Sequence, residues 1–346
     1  MKEIELKLLI SPEDLPSLRR RAGARARGRG KTRTVRTIYL DTVDRRLAAG
    51  GVALRLRHEA RHWTQTVKRA RSLRAGLSET EETDTDAPGG RVALDRLPDA
   101  LSAQIAALAG DLPLGPQFET VMSRTRWDVP EGDALVELAI DSGEVRADGR
   151  AEAFIEVEME LKRGSPSAVF TLARRLFPTG PLRLSRYNKA ARGRRLADGL
   201  PAVPPAAPRH AEAVAISRKD TAEAAATAIL SECVAQIASN VTAVLADDGP
   251  EGAHQLRVGL RRLRSAIRML CGALASPSGG AALDRIEGEA RWLAREVGRL
   301  RDLQVAEAEL VAPAAAANPA EPGFTVLTAA LRERIDAERA LLGATL

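Results

Sequence analysis

Apolar and polar residues alternate with period two through the first half of the chain and recur every three to four residues through the second. In the opening MKEIELKLLI, Glu3, Glu5 and Lys7 alternate with Ile4, Leu6 and Leu8, the pattern of a strand with one charged and one apolar face. Comparable runs occupy 1–10, 33–40, 52–58, 62–69, 76–83, 118–129, 133–141 and 152–162. Eight strands at this spacing, mostly joined by turns, predict an antiparallel barrel. Helices are expected at 12–22, 99–109 and 165–177, the first opened by Ser11-Pro12-Glu13-Asp14, which places a cap, a proline and acids in its first turn. From Asp198 to Ala215 the text DGLPAVPPAAPRHAEAVA has four prolines and little periodicity, so 198–215 reads as a linker between residues 1–197 and 216–346. Beyond it, Ala, Leu, Arg and Glu at helical spacing predict helices at 217–246, 250–274, 280–311 and 324–343, broken at DDGP, ASPSGG and PAAAANPAEPG. The expected fold class is therefore α+β: an eight-stranded antiparallel barrel with flanking helices, followed by an all-α four-helix bundle.

Length and composition narrow this further. The 346 residues, 45% of them hydrophobic, can supply a core to each of two domains. Two distant cysteines, Cys233 and Cys271, support neither a disulfide framework nor a zinc site, as in a reducing cytoplasm, where we expect the protein to reside. The N-terminus enters a strand directly, so no signal peptide is expected. No run approaches the roughly 18 to 20 apolar residues of a membrane span, and no membrane association is expected. A net charge of +6 suits a polyanionic partner. The charges occur in runs: arginines crowd 19–36, 55–74, 183–195 and 257–268, and acids gather at 79–86 and 152–160.

The opening strand has counterparts. Arg55 and Arg57 oppose Val52, Leu54 and Leu56; Lys68 shares a face with Thr64 and Thr66; Glu137 and Asp141 oppose Val136, Leu138 and Ile140. Glu156, Glu158 and Glu160 oppose Ile155, Val157, Met159 and Leu161. If the apolar faces share an interior, the charges meet solvent; if helices cover the barrel, the charges line its lumen. Such a lumen would be very costly to desolvate unless it were wet and filled by ions of both signs. A polyphosphate with divalent cations meets that condition, because basic groups hold phosphate oxygens and carboxylates hold a hard cation.

Glu3-x-Glu5-x-Lys7 resembles the ExExK opening of the CYTH, or triphosphate tunnel metalloenzyme, family. The likeness continues through Tyr39-Leu40-Asp41-Thr42, Leu47-x-x-Gly50-x-x-Leu54-Arg55-Leu56-Arg57, Trp63-x-Gln65-Thr66-x-Lys68 and Phe118-x-Thr120-x-x-x-Arg124-x-x-Trp127. It ends with Glu156-x-Glu158-x-Glu160-Leu161-Lys162-x-Gly164 and Asn188-Lys189-Ala190-x-Arg192-Gly193. The likeness is nearest to the inorganic triphosphatase branch and implies a tunnel that hydrolyses tripolyphosphate with Mg²⁺ or Mn²⁺. It implies metal binding by Glu3, Glu5, Glu156 and Glu158, with Glu160 a further candidate, and triphosphate binding by Lys7, Arg55, Arg57, Lys68, Arg124 and Lys189. Arg126, on the strand face of Arg124, is a second choice. Glu79 and Glu81 stand where the family often carries an acidic pair around an aromatic, but Thr80 replaces the aromatic. Anhydride hydrolysis needs neutralised phosphoryl oxygens, a supported leaving group and water in line; a second cation, or Glu137 or Asp141, could position that water. Relatives that act on thiamine triphosphate, nucleotides or RNA 5′-triphosphates define an alternative, although no aromatic cluster suited to stacking a purine is evident. A non-catalytic polyphosphate-binding protein is another, disfavoured by the carboxylate ladder.

In PEGAHQLRVGLRRLRSAIRML, His254, Arg257, Arg261, Arg264 and Arg268 fall along one side of a helix, opposite Leu256, Leu260, Leu263, Ile267 and Leu270. Arginines three and four apart repel unless an anion or acids compensate them, and this segment has almost no acids of its own. Few aromatics and no reading motif make nucleic acid an unlikely partner. Residues 215–312 resemble the first half of a CHAD domain, through Glu251-x-x-His254-Gln255-Leu256-Arg257-Val258-x-Leu260-Arg261-Arg262-Leu263-Arg264, Trp292-Leu293-Ala294 and Gly298-x-x-Arg301-Asp302. That resemblance implies inorganic polyphosphate binding by His254, Arg257, Arg261 and Arg264, on a domain expected to be partial.

Overall fold

The alternating runs form eight long strands: β1 Lys2–Leu9, β2 Lys31–Asp41, β3 Val52–Glu59, β4 His62–Arg74, β5 Leu77–Asp86, β6 Gly115–Glu131, β7 Ala134–Ala147 and β8 Arg150–Arg163. This computed structural model describes residues 2–74, 77–178, 183–185, 187–246, 249–274 and 277–346. The strands pair antiparallel in the order β5-β4-β3-β2-β6-β7-β8-β1, and β1 also pairs with β5, which closes the barrel. A short β9, Arg183–Leu184, adds to the edge of β1 at Leu8 and Leu9.

The outside of the barrel is covered, and this decides which way the charges point. Leu6 and Leu8 of β1 are buried with Leu18 and Ala22 of α1 (Leu15–Arg25) and with Val169, Leu172 and Leu176 of α4 (Ser167–Leu176). Leu54, Leu56 and Val67 pack with Leu47 of α2 (Arg46–Ala49) and with Leu101 and Ile105 of α3 (Asp99–Ala109). Each fully buried leucine contributes on the order of 1.5–3 kcal/mol relative to exposure, so the apolar faces turn outward under the helices. The ionic faces are left to the lumen.

The Leu40-Asp41-Thr42 segment proves to be the end of β2 and the support of α2. The Asp41 carboxylate accepts from the backbone N–H groups of Thr42, Leu47 and Ala48 at 2.8, 2.9 and 2.9 Å, satisfying donors a short helix leaves open. The first helix starts later than expected, at Leu15, because Ser11 and Asp14 bond each other in a turn and Pro16 takes the early helical position. A helix read only as a motif, α5 (Lys189–Ala197), is capped by the Asn188 side chain, which accepts from Ala191 N–H at 2.8 Å. It lies against Tyr39, Phe118 and Val145 through Leu196.

The chain divides into two units near 205/206. The segment 198–215 is docked at both ends: Ala202 N–H donates to Glu152 at 3.0 Å within the first unit, and Arg209 pairs with Glu232 at 2.7 Å within the second. The second unit contains α6 (Ala222–Leu245), α7 (Gly249–Leu274), α8 (Pro277–Val305), a π-helical turn at Ala306–Val311, α9 (Ala312–Ala317) and α10 (Gly323–Thr345). Leu256, Leu260, Leu263 and Ile267 pack with Val297, Leu300, Ile335 and Leu342. One expectation is corrected: α6 is by length and composition apolar enough to cross a membrane. Here it contributes Cys233 and Val244 to the bundle core, and its Gln236 and Asn240 are fully buried in hydrogen bonds.

Candidate functional site

The lumen holds a cavity of about 600 Å³. Strand alternation and register bring to it Glu3, Glu5 and Lys7 from β1, Arg55 and Arg57 from β3, Lys68 from β4, Arg124 and Arg126 from β6, Glu137 from β7, and Glu158 and Glu160 from β8; Lys189 enters from α5. Residues separated by up to 186 positions thus share one chamber because every long strand of the closed sheet presents alternate side chains inward. Lys7 lies opposite Glu158, and Glu5 opposite Glu160, across the β1–β8 ladder.

Acids and bases interleave inside. Lys7 Nζ lies 2.7 Å from both Glu5 and Glu158. Arg124 grips Asp141 with two hydrogen bonds of 2.6 and 2.5 Å and also reaches Glu158. Lys189 Nζ sits among three carboxylates, 2.8 Å from Asp141, 2.7 Å from Glu156 and 2.6 Å from Glu158. Burial works against charge in all of these groups. Even so, Arg124, Lys189 and Lys7 hold Glu158 well below the usual carboxylate range, while Glu158 and Glu5 hold Lys7 well above its ordinary value.

Two places fall outside this balance. Glu5 is pushed up to about 7, chiefly by burial and then by the neighbouring Glu158 charge. Arg57 is pulled down to about 10 by burial and by the like charges of Arg55 and Arg124. Among the described residues, Arg55 Nε, Arg57 Nε and Thr120 Oγ1 are buried without a hydrogen-bond partner. A buried, unmet donor costs about 1–3 kcal/mol and more when charged, a cost that an anion beside Arg55 and Arg57, which both line the cavity, would relieve.

The candidate residues are not all alike in position. Asp141 and Glu156 are 0% exposed and stand behind the cavity wall. Asp141, expected to orient water, has its oxygens engaged by Arg124 and Lys189; Glu156 is engaged by Lys189, by Arg192 at 3.2 Å and by Ser185 at 2.8 Å. With Glu158 they form a buried triad whose ligand atoms lie within 4.8 Å of one another, a spacing able to hold a cation, and the Lys189 ammonium now fills that role. On β5 the inward acids are Glu82 and Asp84, not Glu79 and Glu81. Glu82 bonds Arg55 at 2.9 Å and Lys68 at 2.5 Å and is held down at about 2, these two cations outweighing its burial. Glu81 instead meets Arg69 at 3.0 Å on the other face. Arg194 and Lys162 also line the cavity, and Arg192 steadies Glu156; Lys162 shares the inward parity of Glu160, the signal for it in the sequence, whereas Arg194 and Arg192 lie on α5 and have no such strand parity.

On α7, Arg257, Arg261 and Arg268 are exposed, and His254 and Arg264 half-buried. The expected shortage of acids is partly met from α8: Glu287 accepts from Arg264 at 2.9 Å, Arg268 at 3.1 Å and Arg291 at 2.9 Å. The Arg264 hydrogen bond, then those of Arg291 and Arg268, hold Glu287 at about 2. Arg257 lies 3.4 Å from where a Cβ on Gly298 would project and meets Asp302 at 3.3 Å. Basic groups still outnumber acids on this face.

Fold and site together define a closed antiparallel barrel with an ion-lined lumen, joined to a basic helical unit. The chain belongs to the CYTH family: the CYTH domain matches residues 1–193, and the CHAD domain matches residues 228–346. It is 28% identical over 203 residues to an inorganic triphosphatase of Haemophilus influenzae, covering 56% of this chain and 54% of that protein. The chain therefore spans about half the length of that curated relative. Among solved structures, a Hippeastrum protein described as a candidate adenylyl cyclase with dominant triphosphatase activity is 22% identical over 57% of this chain and 96% of its own, with a TM-score of 0.41. The CHAD domain of Ricinus communis is 32% identical over 40% of this chain and 44% of its own, with a TM-score of 0.33.

Proposed function

We propose that the barrel hydrolyses inorganic triphosphate to diphosphate and phosphate with the help of a divalent cation, Mg²⁺ or Mn²⁺. The observation that carries this reading is that Arg55 and Arg57, whose buried Nε donors are unmet, line one cavity together with the carboxylates Glu3, Glu5, Glu158 and Glu160. Anion binding alone would explain the first half of that arrangement and not the second. The likeness to the Haemophilus influenzae inorganic triphosphatase supports the choice of substrate.

A divalent cation would be held on the side of the cavity lined by Glu3, Glu5, Glu158 and Glu160. There burial, and then the Glu158 charge, oppose ionisation of Glu5, and the cation would take the place of ammonium groups now paired with these acids, Lys68 at Glu3, Lys7 at Glu5 and Lys162 at Glu160. Once bound, the cation would withdraw charge from the phosphate oxygens it touches. Arg55, Arg57 and Lys68 would hold the chain of phosphates, and Lys7, Arg124 and Lys189 would stabilise charge that builds on the leaving diphosphate. Glu137, half-buried at the cavity wall, would orient the attacking water and accept its proton. On α7, His254, Arg257, Arg261 and Arg264 would bind longer inorganic polyphosphate.

Phosphate release from tripolyphosphate, ATP and thiamine triphosphate, each with Mg²⁺, Mn²⁺ or EDTA, tests the reading. The expected result is metal-dependent release, fastest from tripolyphosphate. No metal-dependent release from any of the three would overturn it in favour of a binding module.

A further inference from the structure

From Leu15 to Leu40 the chain carries nine Lys and Arg and no Asp or Glu. The chemistry of the lumen does not use this one-signed run. The structure turns the run into an ordered strip. Arg27, Arg29, Lys31 and Arg33 are exposed. Among the described residues neither Arg27, Arg29 nor Lys31 has an ion-pair partner, and Arg33 reaches only Glu59, at 3.9 Å.

The backbone under this strip is pinned. Arg27 N–H donates to the Asp128 carbonyl at 2.8 Å. Gly30 lies so flat on Trp127 that a Cβ there would stand 2.5 Å from the indole, which explains the glycine. The β2–β6 ladder then sets Lys31 opposite Arg126 and Arg33 opposite Arg124. Directly opposed residues share a sheet face, so Lys31 and Arg33 extend the inward face of Arg126 and Arg124 onto the exposed start of β2. Glu59 marks the join, bonding Arg126 at 2.5 and 3.0 Å while facing Arg33. Arg126 itself lines the cavity.

We propose that residues 27–33 form a docking strip for a linear inorganic polyphosphate chain, leading its end over the rim to Arg126 and into the lumen. The identity of the anion follows from what the strip lacks. Between Leu15 and Ile38 there is no aromatic, His, Asn, Gln or carboxylate side chain, so no aromatic ring of the strip stacks a base and no amide or carboxylate pairs with one. Spaced guanidinium and ammonium groups on a fixed backbone suit a bare chain of phosphates. The strip belongs to the barrel unit and the basic helix α7 to the other unit. Only the nature of what happens at its inner end rests on the triphosphatase reading above.

The test uses the full-length chain with Arg27→Gln, Arg29→Gln, Lys31→Gln and Arg33→Gln combined, alone and together with Arg257→Gln, Arg261→Gln and Arg264→Gln. Binding of long-chain inorganic polyphosphate and of single-stranded RNA of matched length is measured as a function of salt, alongside tripolyphosphate turnover. Removing four phosphate contacts should lower the slope of log affinity against log salt by roughly 3 and weaken polyphosphate binding about tenfold or more at physiological salt. The loss should persist in the helix-variant background, and KM for tripolyphosphate should stay unchanged. An unchanged polyphosphate slope would overturn the strip, and an equal loss for RNA would make it a general polyanion surface. If the wild-type protein hydrolyses no triphosphate, the triphosphatase reading fails on its own, and the binding comparison still decides the strip.

Discussion

Glu5 shows how a buried carboxylate can work against the fold that holds it. Burial and the Glu158 charge raise it from its ordinary 4.5 to about 7, so between those values the folded protein holds more protons at this site than the unfolded chain does. The stability Glu5 contributes is therefore fully present below about 4.5 and is lost as pH rises through 7. Above that, an ionised carboxylate is retained in a place that disfavours it. Glu5→Gln should raise the melting temperature of the metal-free protein at pH 8, with the difference closing as pH falls toward 4.5, because Lys7 still keeps Glu158 at 2.7 Å. The same variant should lose on the order of 10²- to 10³-fold in phosphate release, as removal of one electrostatic contact does elsewhere. Thermal melts in EDTA at the two pH values, set beside turnover with Mg²⁺, check both halves. A lower melting temperature at pH 8 would mean that Glu5 is held for stability.

At the scale of elements, α5 is the part that turns a charged barrel into a built site. It carries Lys189 into the carboxylate triad from its first turn, and Gly193, one turn on, lets it approach β6. A Cβ at Gly193 would fall 1.9 Å from the Phe118 ring, which is stacked on Tyr39 at 4.5 Å and cannot swing aside freely. Gly193→Ala should thus cost about 1–3 kcal/mol, as overpacking typically does, and reduce turnover by shifting Lys189. Urea unfolding and phosphate release measured together test this; normal values for both would show that α5 does not position Lys189. The period-two ladders made the lumen legible from sequence, because Leu6, Leu8, Leu54 and Leu56 had to be covered and helices were available to cover them. The inner face of β5 was not legible, since TEETD offers acids at both parities and the choice depends on pairing with β4, which shifts register between Ala70 and Ser72. Nor could spacing reveal that Asp141 and Glu156 would meet Lys189, 48 and 33 positions away, rather than the open cavity. That meeting depends on where α5 docks.

For the whole molecule, the two units have separate cores, one beneath the barrel helices and one around Leu256, Leu260, Val297 and Leu300. A ligand that binds only the folded barrel should stabilise the barrel alone. By mass action, tripolyphosphate at a hundred times its Kd adds about 2.7 kcal/mol to the unit it binds. The protein's net charge of +6 adds a general electrostatic effect, since any polyanion relieves self-repulsion in both units, and salt screens this within about 10 Å at 0.1 M. Scanning calorimetry at physiological salt with Ca²⁺, chosen to bind phosphate while slowing turnover, should therefore show tripolyphosphate raising one transition and leaving the other in place. Arg57→Ala should abolish that shift, whereas Arg261→Gln on the exposed face of α7 should leave it intact. If tripolyphosphate instead moves a single transition for the entire chain, the units unfold as one, and the helical unit is energetically part of the barrel's site.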